Sequence, residues 1–262
     1  MNIGYQGTLG SFSQIAAKNL FPTDNLINYL TFADVINKVL NGEIDYGVLP
    51  IENSYTGEVS MVLDELFNSN VYVVKMYDLP IVQNLVGIKG QCVKNIKQVY
   101  SHEQALMQCS EYLKRLNVEL INFANTALAS KYVSDLNDPT KAAIASSLTA
   151  ELYNLDILEE EINNNKSNTT RFAVISKEMI EINNHFAFMF TVKDGSGALA
   201  NILNEISRLN VNLTAISSHS THEAWKYYFY CEAEGRLDSE NIIKLQEILK
   251  RKCETYKVVG SY

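Results

Sequence analysis

From residue 2 to about residue 176, short runs of branched apolar residues alternate with segments whose apolar residues recur every three to four positions. This rhythm admits few folds. Each strand has to reach the next through a helix that covers the sheet, which is how an α/β domain is built. Strands are expected at 2–5, 46–51, 71–76, 81–88, 118–123, 142–145 and 172–175, and helices at 12–20, 32–40, 59–67, 104–116 and 126–133. The run "NNNKSN" at 163–168 has the composition of a surface loop or linker. The "TTRFAVIS" string that follows it returns to strand character, so this segment is expected to pack back against earlier strands.

The α/β rhythm stops between residues 177 and 184. Beyond that point Phe186, Phe188, Phe190 and Val192 alternate with Ala187, Met189 and Thr191, the period-two pattern of a strand with one buried face. A helix at 198–209, strands at 212–217 and 225–231, a helix at 239–250 and a strand at 254–259 complete the order βαββαβ. That is a ferredoxin-like unit of about 80 residues. A chain of 262 residues accommodates one medium and one small domain, so the division falls at 1–178 and 184–262.

A net charge of -8 gives no basic surface for collecting phosphates, which argues against a nucleic-acid partner. Cations that bind an anionic ligand therefore have to be local, placed in a cleft by the fold. Residues 1–5 run straight into strand-like sequence with no basic or apolar leader, and no apolar stretch approaches the roughly 20 residues that cross a bilayer. A cytoplasmic protein without a membrane partner is expected. Cys92, Cys109, Cys231 and Cys253 are too far apart for a zinc knuckle or a redox pair. His102, His185, His219 and His222 form no metal-binding pattern either, so neither a metal nor a cofactor is expected.

Four strings carry chemistry. "GYQGTLGSFSQIAA" sets Gly4, Gly7 and Gly10 between a strand and a helix that Ser11 can cap, which suits either an anion cradle of backbone N–H groups or an ordinary βα turn. "DYGVLPIENSYTGEV" is a buried strand that delivers Glu52, Asn53 and Ser54 to its C-terminal tip, where open α/β sheets bind ligands. The same residue types also cap helices. "SHEQALMQC" sets Ser101 and His102 before a helix with Gln104 and Gln108 on one face. "NTTRF" puts Thr169, Thr170 and Arg171 at a loop-to-strand junction, where a guanidinium can grip a carboxylate beside a hydroxyl. Each string alone is equally readable as structure.

Together and in this order, the four resemble the prephenate dehydratase family. "GTLGSFS" resembles its GTFS-type loop, "GVLPIENSYTG" its PIENS block, "SHEQALMQC" its SHPQA block and "NTTRF" its TRF block. The resemblance implies a two-lobed α/β domain like a periplasmic binding protein, with the active site between the lobes. The reaction it implies is a hydro-lyase step that converts prephenate to phenylpyruvate on the way to phenylalanine. Thr170 would be catalytic, and Arg171, Glu52, Asn53, Ser54, Ser101, Gln108, Gly10 and Ser11 would bind or orient substrate. Glu103 departs from the family's proline, Ser11 from its threonine, and Gln83 from a histidine common after "LPI".

"GALANILNEISRLNVNLTAISSHS" resembles the ACT module appended to these enzymes. Gly197, Ala198, Leu199, Asn212, Leu213 and Thr214 match positions that form an amino-acid site between paired subunits, which implies phenylalanine as effector and a homodimer or homotetramer. Ser217, Ser218, His219 and Ser220 stand where phenylalanine-sensing members carry ESRP. An ACT unit that mainly builds a dimer remains open. So do arogenate as the substrate and a non-catalytic sensor role.

Overall fold

The computed structural model describes residues 1–180, 183–221 and 223–262. His222 and part of the segment expected to divide the domains lie outside the described residues. The first lobe contains β1 (Asn2–Gln6), α1 (Phe12–Leu20), β2 (Asn25–Tyr29), α2 (Phe32–Leu40), β3 (Tyr46–Asn53), β4 (Gly57–Glu58), α3 (Ser60–Asn68) and β5 (Tyr72–Pro80). The chain then crosses to a second lobe of β6 (Asn84–Gly87), β7 (Gln98–Ser101), α4 (Glu103–Gln108), α5 (Ser110–Leu116), β8 (Glu119–Asn122), α6 (Thr126–Leu136), β9 (Lys141–Ala145), α7 (Ser147–Leu152) and β10 (Asp156–Glu159). It returns to the first lobe as β11 (Thr169–Ser176).

The strands run β2-β1-β3-β11-β5 in the first lobe and β8-β7-β9-β6-β10 in the second. Both lobes thus share one layout, as expected of a two-lobed α/β domain. Parallel neighbours such as β1 with β3 and β7 with β9 need covering helices, and their strands are accordingly buried and apolar.

The strand expected at 81–88 is half borne out, with its first three residues forming a crossover and β6 covering Asn84–Gly87. β5 ends at Pro80, and Ile81 to Gln83 bridge the lobes before β6 begins. The expected helix at 104–116 is two helices, broken at Cys109, whose φ of -112 and ψ of 12 leave the helical region. The asparagine-rich return is a hydrogen-bonded strap. Asn163 accepts from the Gln83 amide (2.7 Å) and donates to the Ile81 carbonyl (3.0 Å), while Asn164 accepts from the amide of Glu111 (3.0 Å).

The C-terminal unit follows the expected order: β12 (His185–Thr191), α8 (Ala198–Arg208), β13 (Leu213–Ser220), β14 (Tyr227–Glu234), α9 (Glu240–Lys252) and β15 (Thr255–Ser261). The expectation that β12 buries one face is corrected, because both faces are buried. Phe186, Phe188 and Phe190 pack under α8 and α9, while Ala187 and Met189 join a core with Ile36, Leu63 and Leu66 of the first lobe. β15 also meets β5 at Gly260, opposite Val73, so the two units share one ten-stranded sheet. A Cβ at Gly260 would lie 1.9 Å from the Val73 carbonyl oxygen, so only glycine fits that approach. Among the described residues, no helix is long and apolar enough to cross a membrane.

Candidate active site

Successive side chains of a strand point to opposite faces of its sheet, so β11 sends Thr170 and Phe172 one way and Arg171 the other. Thr170 and Phe172 enter a cavity of about 340 Å³ between the lobes. The antiparallel partner strand β3 sets Asn53 opposite Thr170. Asn53 is 7% exposed, and its Nδ2 donates to Thr170 Oγ1 at 2.9 Å, to Asn168 Oδ1 at 3.0 Å and to the Thr169 carbonyl at 3.2 Å. Its Oδ1 accepts from the backbone amides of Tyr55 (3.0 Å) and Thr56 (3.2 Å). With a donor already on its oxygen, the Thr170 hydroxyl keeps its own proton free for the cavity.

The same alternation corrects the roles expected of Arg171 and Glu52. Both line a separate cavity of about 750 Å³ beneath the C-terminal unit and do not border the cleft. Arg171 lies 3.3 Å from Glu232, 3.3 Å from Asp78 and 3.6 Å from Glu52. Burial opposes its charge, but the three carboxylates outweigh burial and hold its pKa above the ordinary guanidinium value.

Two further expectations are corrected by what the groups already bond. The Ser101 hydroxyl is fully buried and donates to the Ile144 carbonyl (2.9 Å), tying β7 to β9. Ser54 is exposed, and its hydroxyl accepts from the Thr169 amide (3.0 Å) outside the cavity. The glycine loop is no open cradle either. The amide of Gly7 donates to the Tyr29 carbonyl (2.9 Å), that of Gly10 to Gln14 Oε1 (2.6 Å) and that of Ser11 to the Thr8 carbonyl (3.1 Å). The Gly10 carbonyl accepts from Thr149 (2.7 Å), which joins this loop to the second lobe.

Ser11 does border the cleft, as the N-cap of α1, and Phe12 and Ser13 follow it there. From the second lobe come Gln104 and Gln108, as the spacing on one helix face suggested, together with His102, Asn125 and Thr126. The sequence reading passed over these last three as site residues. Their signal was the capping position: His102 caps α4 and Asn125 caps α6, so both sit at helix starts that face the cleft. Gln83, 3% exposed, lines the crossover side, and its Oε1 has no protein partner. Among the described residues lining the cleft there is no Lys, Arg, Asp or Glu.

The cleft thus holds one hydroxyl bonded by a buried amide and, among its described lining residues, none of the cations expected there. The prephenate dehydratase family model matches residues 3–180, and the ACT domain model matches residues 187–251. The chain belongs to the prephenate dehydratase family. The prephenate dehydratase of Methanocaldococcus jannaschii is 37% identical over 268 residues, spanning 97% of this chain and 94% of that one. The solved prephenate dehydratase from Staphylococcus aureus subsp. aureus Mu50 is 26% identical, with a TM-score of 0.87 and full coverage of both chains. A prephenate dehydratase from Arthrobacter aurescens, solved in complex with L-Phe, has the same fold at a TM-score of 0.91 and 24% identity, over 99% of this chain and 89% of that one. The C-terminal unit of this dehydratase-family chain is thus an ACT domain, as the resemblance of its "GALANILNEISRLNVNLTAISSHS" string implied.

Proposed function

We propose that this chain converts prephenate to phenylpyruvate, with the Thr170 hydroxyl as proton donor to the leaving group and residues 1–178 as the catalytic domain. The observation that carries this reading is the 2.9 Å bond from Asn53 Nδ2 to Thr170 Oγ1, which occupies the hydroxyl oxygen and leaves its proton free to be donated. The ring C–O bond breaks with both electrons going to oxygen, which takes the Thr170 proton and leaves as water. The bond from the ring to its carboxylate breaks as carbon dioxide departs, and that electron pair completes the aromatic ring. Solvent returns a proton to Thr170. Aromatisation drives the step, so a weak acid suffices when it is well placed.

With no Lys or Arg among the described residues lining the cleft, the starts of α1 and α6 are the groups suited to the substrate carboxylates. The first amides of a helix lack partners within it, and the dipole there favours negative charge. Ser13, Asn125, Thr126 and Gln108 add neutral donors on both sides. Purified protein incubated with prephenate is expected to form phenylpyruvate, and Thr170→Ala is expected to lose about 10²- to 10⁴-fold in kcat. A Thr170→Ala enzyme with near-full turnover overturns the assignment.

We assign residues 184–262 a regulatory role, with L-phenylalanine bound at Gly197, Ala198, Leu199, Asn212, Leu213 and Thr214. Gly197, in a left-handed conformation (φ +78), opens α8, and Leu199 and Leu213 pack on the same core. The L-Phe complex of the Arthrobacter relative supports this choice of ligand. Calorimetry with phenylalanine tests it, and no heat together with unchanged activity retires it. β13 ends its sheet as an edge strand, which suits pairing with a second copy in a homodimer or homotetramer. Four free thiols suit the reducing cytoplasm.

A further inference from the structure

The exposed turn between β3 and β4 carries the groups that join Asn53, which holds Thr170, to the opposite lobe. Ser54, Tyr55, Thr56 and Gly57 are all exposed, so polar bonds rather than packing decide where the turn sits. Its first half is held by β11, through the Ser54 amide on the Thr169 carbonyl (2.9 Å) and the Thr169 amide on the Ser54 hydroxyl (3.0 Å). Its second half carries Thr56, whose amide and hydroxyl both reach Asn53 Oδ1 (3.2 and 3.4 Å). The Thr56 hydroxyl oxygen also accepts from Gln104 Nε2 at 3.0 Å, a bond that crosses from the first lobe to the second.

At the root of that second half stands Glu58, and the ACT domain grips it. Ser217 Oγ donates to Glu58 Oε1 at 2.9 Å, and His219 Nε2 lies 3.0 Å from Glu58 Oε2. The two ACT side chains also touch each other at 3.0 Å, so they form one bidentate clamp. The imidazole is held in turn by stacking on Tyr228 (5.2 Å between centroids), and Tyr228 stacks on Phe67 of α3 (4.4 Å) and donates to Asp64 (2.7 Å). The short ladder of β4 on β3 pairs Glu58 with Glu52 and Gly57 with Asn53, so displacement of Glu58 passes directly to the residue beside Thr56.

We propose that Ser217 and His219 are positioning residues for the cleft, acting through Glu58 to hold Thr56 where it can bridge the lobes by way of Gln104. The proposal rests on the dehydratase reading of the cleft. The clamp touches neither substrate nor reacting atoms, so its loss weakens closure of the lobes on substrate rather than proton transfer from Thr170.

Steady-state kinetics with prephenate on the full chain test this, with thermal melting of each variant. Ser217→Ala and His219→Ala are each expected to raise KM about fivefold to tenfold, the lower end of coupling between distant groups, with kcat little changed. His219→Gln, which keeps a donor at the place of Nε2, is expected to restore KM. Glu58→Ala is expected to match His219→Ala without touching the Tyr228 stack. Unchanged KM in both Ser217→Ala and His219→Ala overturns the proposal, as does a fall in kcat that tracks lost melting temperature, the mark of a merely adhesive contact. Failure of His219→Gln to rescue overturns it as well. If the unmodified protein does not turn over prephenate, both this proposal and the dehydratase reading fall. Turnover with an insensitive KM sinks the clamp alone.

Discussion

Asn53→Asp separates the chemistry of the site from its stability. The substitution exchanges one N–H₂ for oxygen at a site where Nδ2 meets three acceptors, Thr170 Oγ1, Asn168 Oδ1 and the Thr169 carbonyl, at 2.9 to 3.2 Å. Each acceptor responds differently. Thr170 turns its hydroxyl to donate to the new carboxylate, which takes its proton away from the cleft. Asn168 has a buried Nδ2 with no partner, so flipping its amide supplies a donor. Only the Thr169 carbonyl is left facing an anion. The stability loss is therefore that of a single conflict, about 1 to 3 kcal/mol. The rate loss is that of a removed transition-state donor, about 10²- to 10³-fold in kcat.

One oxygen of the introduced carboxylate keeps the Tyr55 and Thr56 amides, and the other gains the turned Thr170 and Asn168 donors. These four hydrogen bonds outweigh burial and hold its folded pKa below the unfolded value of about 3.9. A lowered folded pKa means that this contribution to stability is full above the unfolded value and is lost as pH falls through the folded one. Its activity stays low from pH 4 to pH 8, because the ionised oxygen cannot donate to Thr170. Urea unfolding and initial rates of phenylpyruvate formation, both from pH 4 to pH 8, check the two quantities separately. A variant that retains wild-type kcat at neutral pH refutes the claim that Asn53 aims the Thr170 proton.

Two other outcomes follow from packing. Burial pushes Cys109 and Cys231 up to about 12 and Cys253 up to about 11, whereas Cys92 is exposed. A chromogenic disulfide reagent at pH 8 is therefore expected to label one thiol quickly in the native protein and all four after denaturation. Fast native labelling of more than one contradicts the buried placement. Gly260→Ala forces a methyl group against the Val73 backbone and is expected to cost about 1 to 3 kcal/mol, read as a lowered urea midpoint. An unchanged midpoint argues against that strand pairing.

Much of the fold was legible because its signals are local. The βαββαβ order and most first-lobe elements follow from periodicity and capping alone. β2, β7 and β10, each four or five residues long, were missed because so short a run carries little pattern. The buried second face of β12 was out of reach for another reason: its cover is α3, more than a hundred residues earlier in the chain. In the site, motif strings located Thr170, Asn53 and Gln108. They also swept in Arg171 and Glu52, although adjacent residues on a strand cannot both face one cleft, a rule the sequence alone could have applied. The glycine loop misled because its amides are taken by Tyr29, Thr8 and Gln14, and the bond to Tyr29 exists only once β2 lies beside β1.

The apolar seam between α3 and the ACT sheet limits how freely such enzymes can trade their sensors. Met189, Tyr228 and Tyr230 complete a core whose other half is Ile36, Leu63 and Leu66, so neither half has a finished surface of its own. A foreign ACT unit transplanted onto this dehydratase must bring side chains shaped to that particular helix. A change of regulator therefore means rebuilding an interior, and drift in one unit constrains drift in the other.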